Sequence, residues 1–177
     1  DLCKQMLAYA GKGRFVSQNL NLSALVNDAL PLLRLSVSKR ATLEFDLARN
    51  LPSVYADVTQ MRQILMNLVI NASEALGEGH GGIFVSTGMQ RADHAYLADM
   101  SLAGDLAEWD YVFLRVRDTG AGMPPETAAK IFDPFFTTKF MGRGLGLAAV
   151  LGIVRGHQGG LKVETEVGRG STFTLLL

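Results

Sequence analysis

The chain has 177 residues, 48% of them hydrophobic, and its 17 basic and 17 acidic side chains cancel to a formal net charge of zero. That length suffices for one core, and the neutral balance gives no support for a nucleic-acid partner or a membrane-surface patch. Cys3 is the single cysteine, which excludes an internal disulfide and fits a reducing compartment. No apolar run reaches the roughly twenty residues of a membrane span, and none takes the form of a signal peptide.

In chain order, residues 2–10 carry Leu2, Met6, Leu7 and Ala10 on one side, the pattern of an amphipathic helix tail. A polar link from Gly13 to Asn19 leads to a second helix predicted over 22–39, with Pro31 inside it to kink or split it. Strands are predicted at 41–48 and 54–56. Asp57 then reads as the N-cap of a third helix, with Gln60 at the third helical position in a capping-box pattern. The glycine-rich run Gly77–Gly82 ends that helix. A strand follows at 83–90, a long connection at 91–109 and an alternating strand at 110–117. A short helix at 125–131, a helix closing at His157–Gly160, and strands at 161–166 and 172–177 complete the chain. The expected architecture is an α+β two-layer sandwich, a mixed sheet covered on one face by helices.

Four segments carry chemistry. In the third helix Gln63, Asn67, Asn71 and Glu74 fall on one stripe at spacings of four, four and three, with apolar residues on both flanks. A helix apolar on both flanks is mostly buried. The amides therefore face solvent, meet a nearby loop, or line a polar cavity in which an asparagine oxygen can serve a hard cation such as Mg²⁺. Asp118-Thr119-Gly120-Ala121-Gly122 follows a strand, so it is a plain turn or a site where backbone approaches a flat ligand. A carboxylate there accepts a hydrogen bond from the exocyclic amine of adenine and repels the carbonyl oxygen of guanine. Phe132–Met141 packs four phenylalanines around Pro134 and suits a lid. Gly142-Arg143-Gly144-Leu145-Gly146-Leu147 opens an apolar helix, either as a tight turn or as a phosphate-binding helix N-terminus.

These segments, with Gly168–Phe173 near the end, resemble the ordered boxes of the histidine-kinase ATP-binding domain over roughly residues 40–177. That domain belongs to a superfamily shared with gyrase B and the heat-shock chaperone ATPases. The run from Phe136 to Lys139, taken with Arg155-Gly156-His157, is similar to the branch found in hybrid sensor kinases. The resemblance implies Mg-ATP as ligand, with Asn71 on the Mg²⁺ and Asp118 on the adenine amine. It implies further ATP contacts at Asn67, Glu74, Gly120, Gly122, Met123, Lys139, Arg143, Gly144, Leu145, Gly146, Leu147 and Thr172, the last toward the adenine. Asn67 stands where gyrase-type relatives carry a water-activating glutamate, and an amide cannot take up that proton. A kinase is therefore expected over a hydrolysing ATPase or a degenerate interaction domain.

The resemblance also implies partners and boundaries. Residues 1–20 are expected to be the end of a dimerisation hairpin with its linker, and 21–177 the catalytic domain. The phosphoacceptor histidine would lie on the part of the hairpin outside this chain, and His80, His94 and His157 read as structural or solvated. Implied partners are that hairpin and a response-regulator receiver domain, possibly on the same polypeptide, in a cytoplasmic setting without direct membrane contact.

Overall fold

The computed structural model describes residues 16–138 and 144–177. The helix expected over 2–10, and Lys139 and Arg143, lie outside the described residues. The elements are β1 (Ser17–Leu20), α1 (Leu22–Ser36), β2 (Ala41–Leu47), β3 (Val54–Asp57), α2 (Val58–Ala75) and β4 (Gly81–Ala92). After these come α3 (His94–Ala98), β5 (Trp109–Asp118), α4 (Pro125–Ala128), α5 (Gly146–Gly156), β6 (Gly160–Glu166) and β7 (Gly170–Leu176).

Five strands form one sheet in the order β2-β4-β5-β7-β6. Only β2 and β4 run parallel; the other neighbours are antiparallel. Strand alternation sends Ile83 and Val85 of β4, Val112, Leu114 and Val116 of β5, and Phe173 and Leu175 of β7 into the core. Leu22, Leu25 and Leu33 of α1, Ile64, Leu65 and Leu68 of α2, and Val150, Ile153 and Val154 of α5 join the same core. Helix α2 packs on α1, α5 and β5. Most of its apolar residues are buried there, while Gln63, Asn67 and Asn71 of the polar stripe stay half-buried and Glu74 is exposed. The mixed, mostly antiparallel sheet with helices matches the α+β expectation.

The start of α2 departs from a reciprocal capping box. Asp57 Oδ1 accepts the Gln60 N–H at 3.0 Å and Oδ2 accepts the Val16 N–H at 2.9 Å. The Asp57 N–H is not taken by Gln60, however; it donates to His157 Nε2 at 3.0 Å. With Nε2 accepting, the ring proton sits on Nδ1, which lies 2.9 Å from the Ile153 carbonyl oxygen. His157 thus joins the C-terminus of α5 to the N-terminus of α2, and Gln60 Oε1 is left buried without a partner among the described residues. A histidine a hundred residues away displaced the local partner.

Three further expectations change. Pro31 does not split α1, which runs through it to Ser36. Pro31 and Asn27, whose carbonyl loses its helical donor, are both exposed, so water can satisfy that oxygen. The link before residue 20 contains β1, which pairs antiparallel with β3 as a separate two-stranded sheet. Ser-Gln-Asn-Leu has no apolar alternation, so its extended form depends on that pairing. The connection at 91–109 is shorter than predicted, because the β4–β5 ladder extends through Ala92 and Trp109 and α3 fills part of the gap.

Removing both acceptors of Asp57 is expected to cost about 1–2 kcal/mol. Urea unfolding of Asp57→Ala should show a lower midpoint with an unchanged slope.

Candidate functional site

A cavity of about 470 Å³ lies among the segments singled out from the sequence. Helix α2 contributes Asn67, Ile70, Asn71 and Glu74; the end of β5 contributes Asp118; the following turn contributes Gly122 and Met123. Thr127, Ile131 and Phe136–Thr138 come from the segment between that turn and α5, and Gly144, Gly146 and Leu147 from the start of α5. Ser171 and Phe173 of β7 complete the lining. Apolar faces with a few convergent polar groups are what a planar, charged ligand needs.

Asp118 is 3% exposed. Its Oδ1 accepts the Gly120 N–H at 2.8 Å and the Ser171 N–H at 3.3 Å. Two backbone donors on one oxygen fix the carboxylate plane and leave Oδ2 for the cavity. Burial pushes the carboxyl above its ordinary value of 3.8, and the two backbone donors pull against that shift. The site thus spends stability to keep an acceptor in a dry wall.

The turn after Asp118 requires its glycines. Ala121 N–H donates to the Ala75 carbonyl at 3.0 Å, which closes the turn onto the last residue of α2. A Cβ on Gly120 would meet that carbonyl oxygen at 2.5 Å. Gly122 has φ +62°, and a Cβ there would collide with the Glu166 carbonyl. Backbone therefore passes close to backbone on both sides of the cavity wall.

The amide stripe of α2 faces the start of α5. Asn67 Nδ2 donates to the Gly146 carbonyl at 3.2 Å, and Asn71 Nδ2 lies 3.9 Å from the position of a Cβ on Gly146. Helix α5 begins after Leu145, whose side chain has no acceptor to cap it. The first N–H groups of a helix left without a side-chain cap are suited to anionic oxygens. Asn71 thus stands beside a helix N-terminus, the arrangement that a cation shared with phosphate oxygens needs. Gly144 O accepts the Phe135 N–H at 2.9 Å, which ties the start of α5 to the segment carrying Phe136.

The lining brings together Asn67, Asn71, Glu74, Asp118, Gly122, Met123, Gly144, Gly146 and Leu147. Gly120 lies behind the wall under Ala75, and Leu145 is 7% exposed in the core rather than at the cavity. Thr172 sits in register with Arg117 and Glu164 and outside the cavity lining, while its neighbours Ser171 and Phe173 line the cavity. A one-residue shift along a strand reverses the face, and the Gly168–Phe173 pattern does not set that phase. The reading of the sequence also missed Ile70, Thr127 and Ile131. Ile70 follows Asn67 by three and could have been placed on its stripe; Thr127 and Ile131 carry no comparable signal.

Comparison with known proteins agrees with this geometry. Residues 56–177 match the family of histidine kinase-, DNA gyrase B- and HSP90-like ATPases. The chain belongs to this family. Among curated relatives, it is 38% identical to the sensor kinase CckA of Brucella abortus (strain 2308) over 99% of this chain and 18% of that protein. It is also 38% identical to the sensor histidine kinase ZraS of Escherichia coli (strain K12) over 90% of this chain and 30% of that protein. The chain therefore spans less than a third of either relative. Full-length ShkA, solved in complex with AMPPNP, superposes with a TM-score of 0.74 at 26% identity, over 99% of this chain and 34% of ShkA. The catalytic domain of the histidine kinase ThkA gives 0.68 at 28% identity, over 91% of this chain and 94% of that domain. Within the family, the chain is homologous to the ATP-binding domain of sensor histidine kinases.

The raised Asp118 value sets a pH dependence. The native state holds this proton more tightly than the unfolded chain, so the group's contribution to stability falls as pH rises from 3.8 through the native value. Asp118→Asn keeps an acceptor for Gly120 and Ser171 and removes the buried charge. Its thermal midpoint at pH 7 should exceed that of the parent, and the gap should shrink on acidification.

Proposed function

We propose that this chain is the catalytic, ATP-binding domain of a two-component sensor histidine kinase. Its role would be to bind Mg-ATP and offer the γ-phosphate to a histidine on a dimerisation hairpin. Relay to a response-regulator aspartate would follow. The observation that carries the reading is the buried Asp118 carboxylate, oriented by two backbone donors at one end of a cavity whose other parts include Asn71 and the uncapped start of α5. An amine acceptor and a phosphate-facing helix N-terminus within one 470 Å³ space suit an adenine nucleotide.

The chain's residues fit the metal as well. Asn71 offers an amide oxygen, a hard donor, and Mg²⁺ commonly takes one or two protein ligands with the rest from phosphate and water. When bound, the ion would screen phosphate charge; Asn71 would orient it and the α5 N–H groups would hold the oxygens. Lys139 and Arg143 are proposed as additional phosphate contacts. Asn67 is an amide, so this site lacks a carboxylate where a hydrolysing relative would activate water, and its hydrogen bond to Gly146 gives it a holding role instead.

By the same reading, residues 1–20 belong to the hairpin end and linker and 21–177 to the catalytic domain. A cytoplasmic setting is part of the same proposal; among the described residues no helix is long and apolar enough to cross a membrane. A receiver domain is the proposed partner in relay; the histidine kinase ThkA, a structural relative, was solved in complex with the response regulator protein TrrA.

Base choice tests the assignment of Asp118. ATP and ADP should bind roughly ten- to a hundredfold more tightly than GTP and GDP, and Asp118→Ala should lose that preference together with most affinity. Equal calorimetric affinity for ATP and GTP would remove Asp118 from this role.

Asn71→Ala should abolish the gain in ATP affinity that Mg²⁺ provides, while Mg²⁺-free ADP binding changes less than threefold. A variant that binds Mg-ATP like the parent would make the amide stripe structural.

The kinase reading itself is tested by γ-labelled ATP. The chain joined to its dimerisation hairpin should become labelled at one histidine of that hairpin, with phosphate release near background. Rapid release of phosphate that is lost in Asn67→Ala would favour a hydrolysing ATPase.

A further inference from the structure

Next to Asp118 stands a hydroxyl pair of which only one member lines the cavity. Thr165 of β6 and Ser171 of β7 are register partners, and their hydroxyl oxygens are 2.9 Å apart. Ser171 is 6% exposed, lines the cavity, and gives its backbone N–H to Asp118. Thr165 is not in the lining. Its Oγ1 accepts the Met123 N–H at 2.9 Å and lies 3.3 Å from the Gly170 carbonyl oxygen.

A hydroxyl has one hydrogen and two lone pairs. The Met123 N–H takes one lone pair of Thr165, so two arrangements remain. In one, Ser171 donates to Thr165, Thr165 donates to Gly170, and Ser171 shows only lone pairs to the cavity. In the other, Thr165 donates to Ser171, and the Ser171 hydrogen is free to point into the cavity. The Ser171 contact is shorter than the Gly170 contact by 0.4 Å, the difference between 3.3 and 2.9.

The ligand decides between them. An adenine whose amine donates to Asp118 presents, on either side of that amine, a ring nitrogen that can only accept. Ser171 lines the same cavity and is bonded to Asp118 through its own N–H, so an amine on Asp118 would bring one of those two nitrogens toward the Ser171 side of the cavity. That match requires the second arrangement. We propose that Thr165 is a positioning residue: by donating to Ser171 it makes the Ser171 hydroxyl a hydrogen-bond donor toward the ring nitrogen beside the adenine amine. The same oxygen holds the Met123 backbone, so the turn that follows Asp118 and the hydroxyl that reads the ring are set by one atom. This inference rests on the adenine-nucleotide reading of the cavity.

The experiment measures ADP and its 1-deaza and 7-deaza analogues by calorimetry, each analogue replacing one of the two flanking nitrogens by C–H. The parent should bind one analogue roughly three- to tenfold more weakly than ADP, as expected for one lost neutral hydrogen bond, and the other about as well as ADP. Ser171→Ala and Thr165→Val should both lose that preference, whereas Thr165→Ser, which keeps the hydroxyl, should retain it. If Thr165→Val does not fold, Thr165→Cys supplies a weaker donor of similar size and should show a reduced preference. A Thr165 variant that loses ADP affinity yet keeps the full preference between analogues would reduce Thr165 to a structural contact. A parent that binds ADP and both analogues equally would overturn the donor role of Ser171. Absence of any ADP binding by the parent would instead refute the nucleotide reading beneath it.

Discussion

One buried carboxylate sets the terms for the rest of the cavity. Asp118 can remain in an apolar wall because two backbone N–H groups, from the turn after β5 and from the start of β7, converge on a single oxygen. Those donors come from segments separated by more than fifty residues, so the site exists only once β5 and β7 are paired. Other features follow from satisfying this group. Gly120 and Gly122 let the turn curl against α2 and β6, and Thr165 takes the N–H of Met123 that the turn leaves over. A buried charge without those bonds would cost several kcal/mol.

The second constraint links the two long helices. Asn67 in the middle of α2 gives its amide to the first residue of α5, and His157 at the end of α5 accepts from the residue that caps α2. The helices are therefore fastened near both ends of α5 by polar contacts, with Val150, Ile153 and Val154 packed between. Fixing α5 against α2 fixes the distance between Asn71 and the helix N-terminus. The separation between the proposed cation site and the proposed phosphate site is thus a property of helix packing rather than of a loop. This explains how a mediocre helix former can occupy the centre of a buried helix.

Selectivity and stability pull in opposite directions at this site. Desolvation pushes the Asp118 carboxyl above its ordinary value, which destabilises its ionised form, the form proposed to accept the adenine amine. Strain and burial of this kind are common where function opposes stability. The backbone positions around it tolerate little change, since Gly122 combines a positive φ with a contact that no side chain could share.

Much of this was legible in the residues. The 3.6-residue spacing of Gln63, Asn67, Asn71 and Glu74 placed one polar stripe in an apolar helix, and the alternation of residues 110–117 marked a half-buried strand leading to Asp118. Periodicity is local, so it survives without knowledge of neighbours. What the sequence could not decide was every feature that depends on a distant partner. The phase of β7, which puts Ser171 and not Thr172 at the cavity, is set by its register with β5 and β6. The strand form of Ser17–Leu20 comes from β3, and the replacement of Gln60 by His157 at the cap of α2 comes from the packing of α5. Local pattern determined which residue types were available for a site. Long-range hydrogen bonding determined which of them face it, because a backbone or hydroxyl group has several adequate partners and only the packed chain leaves one within reach.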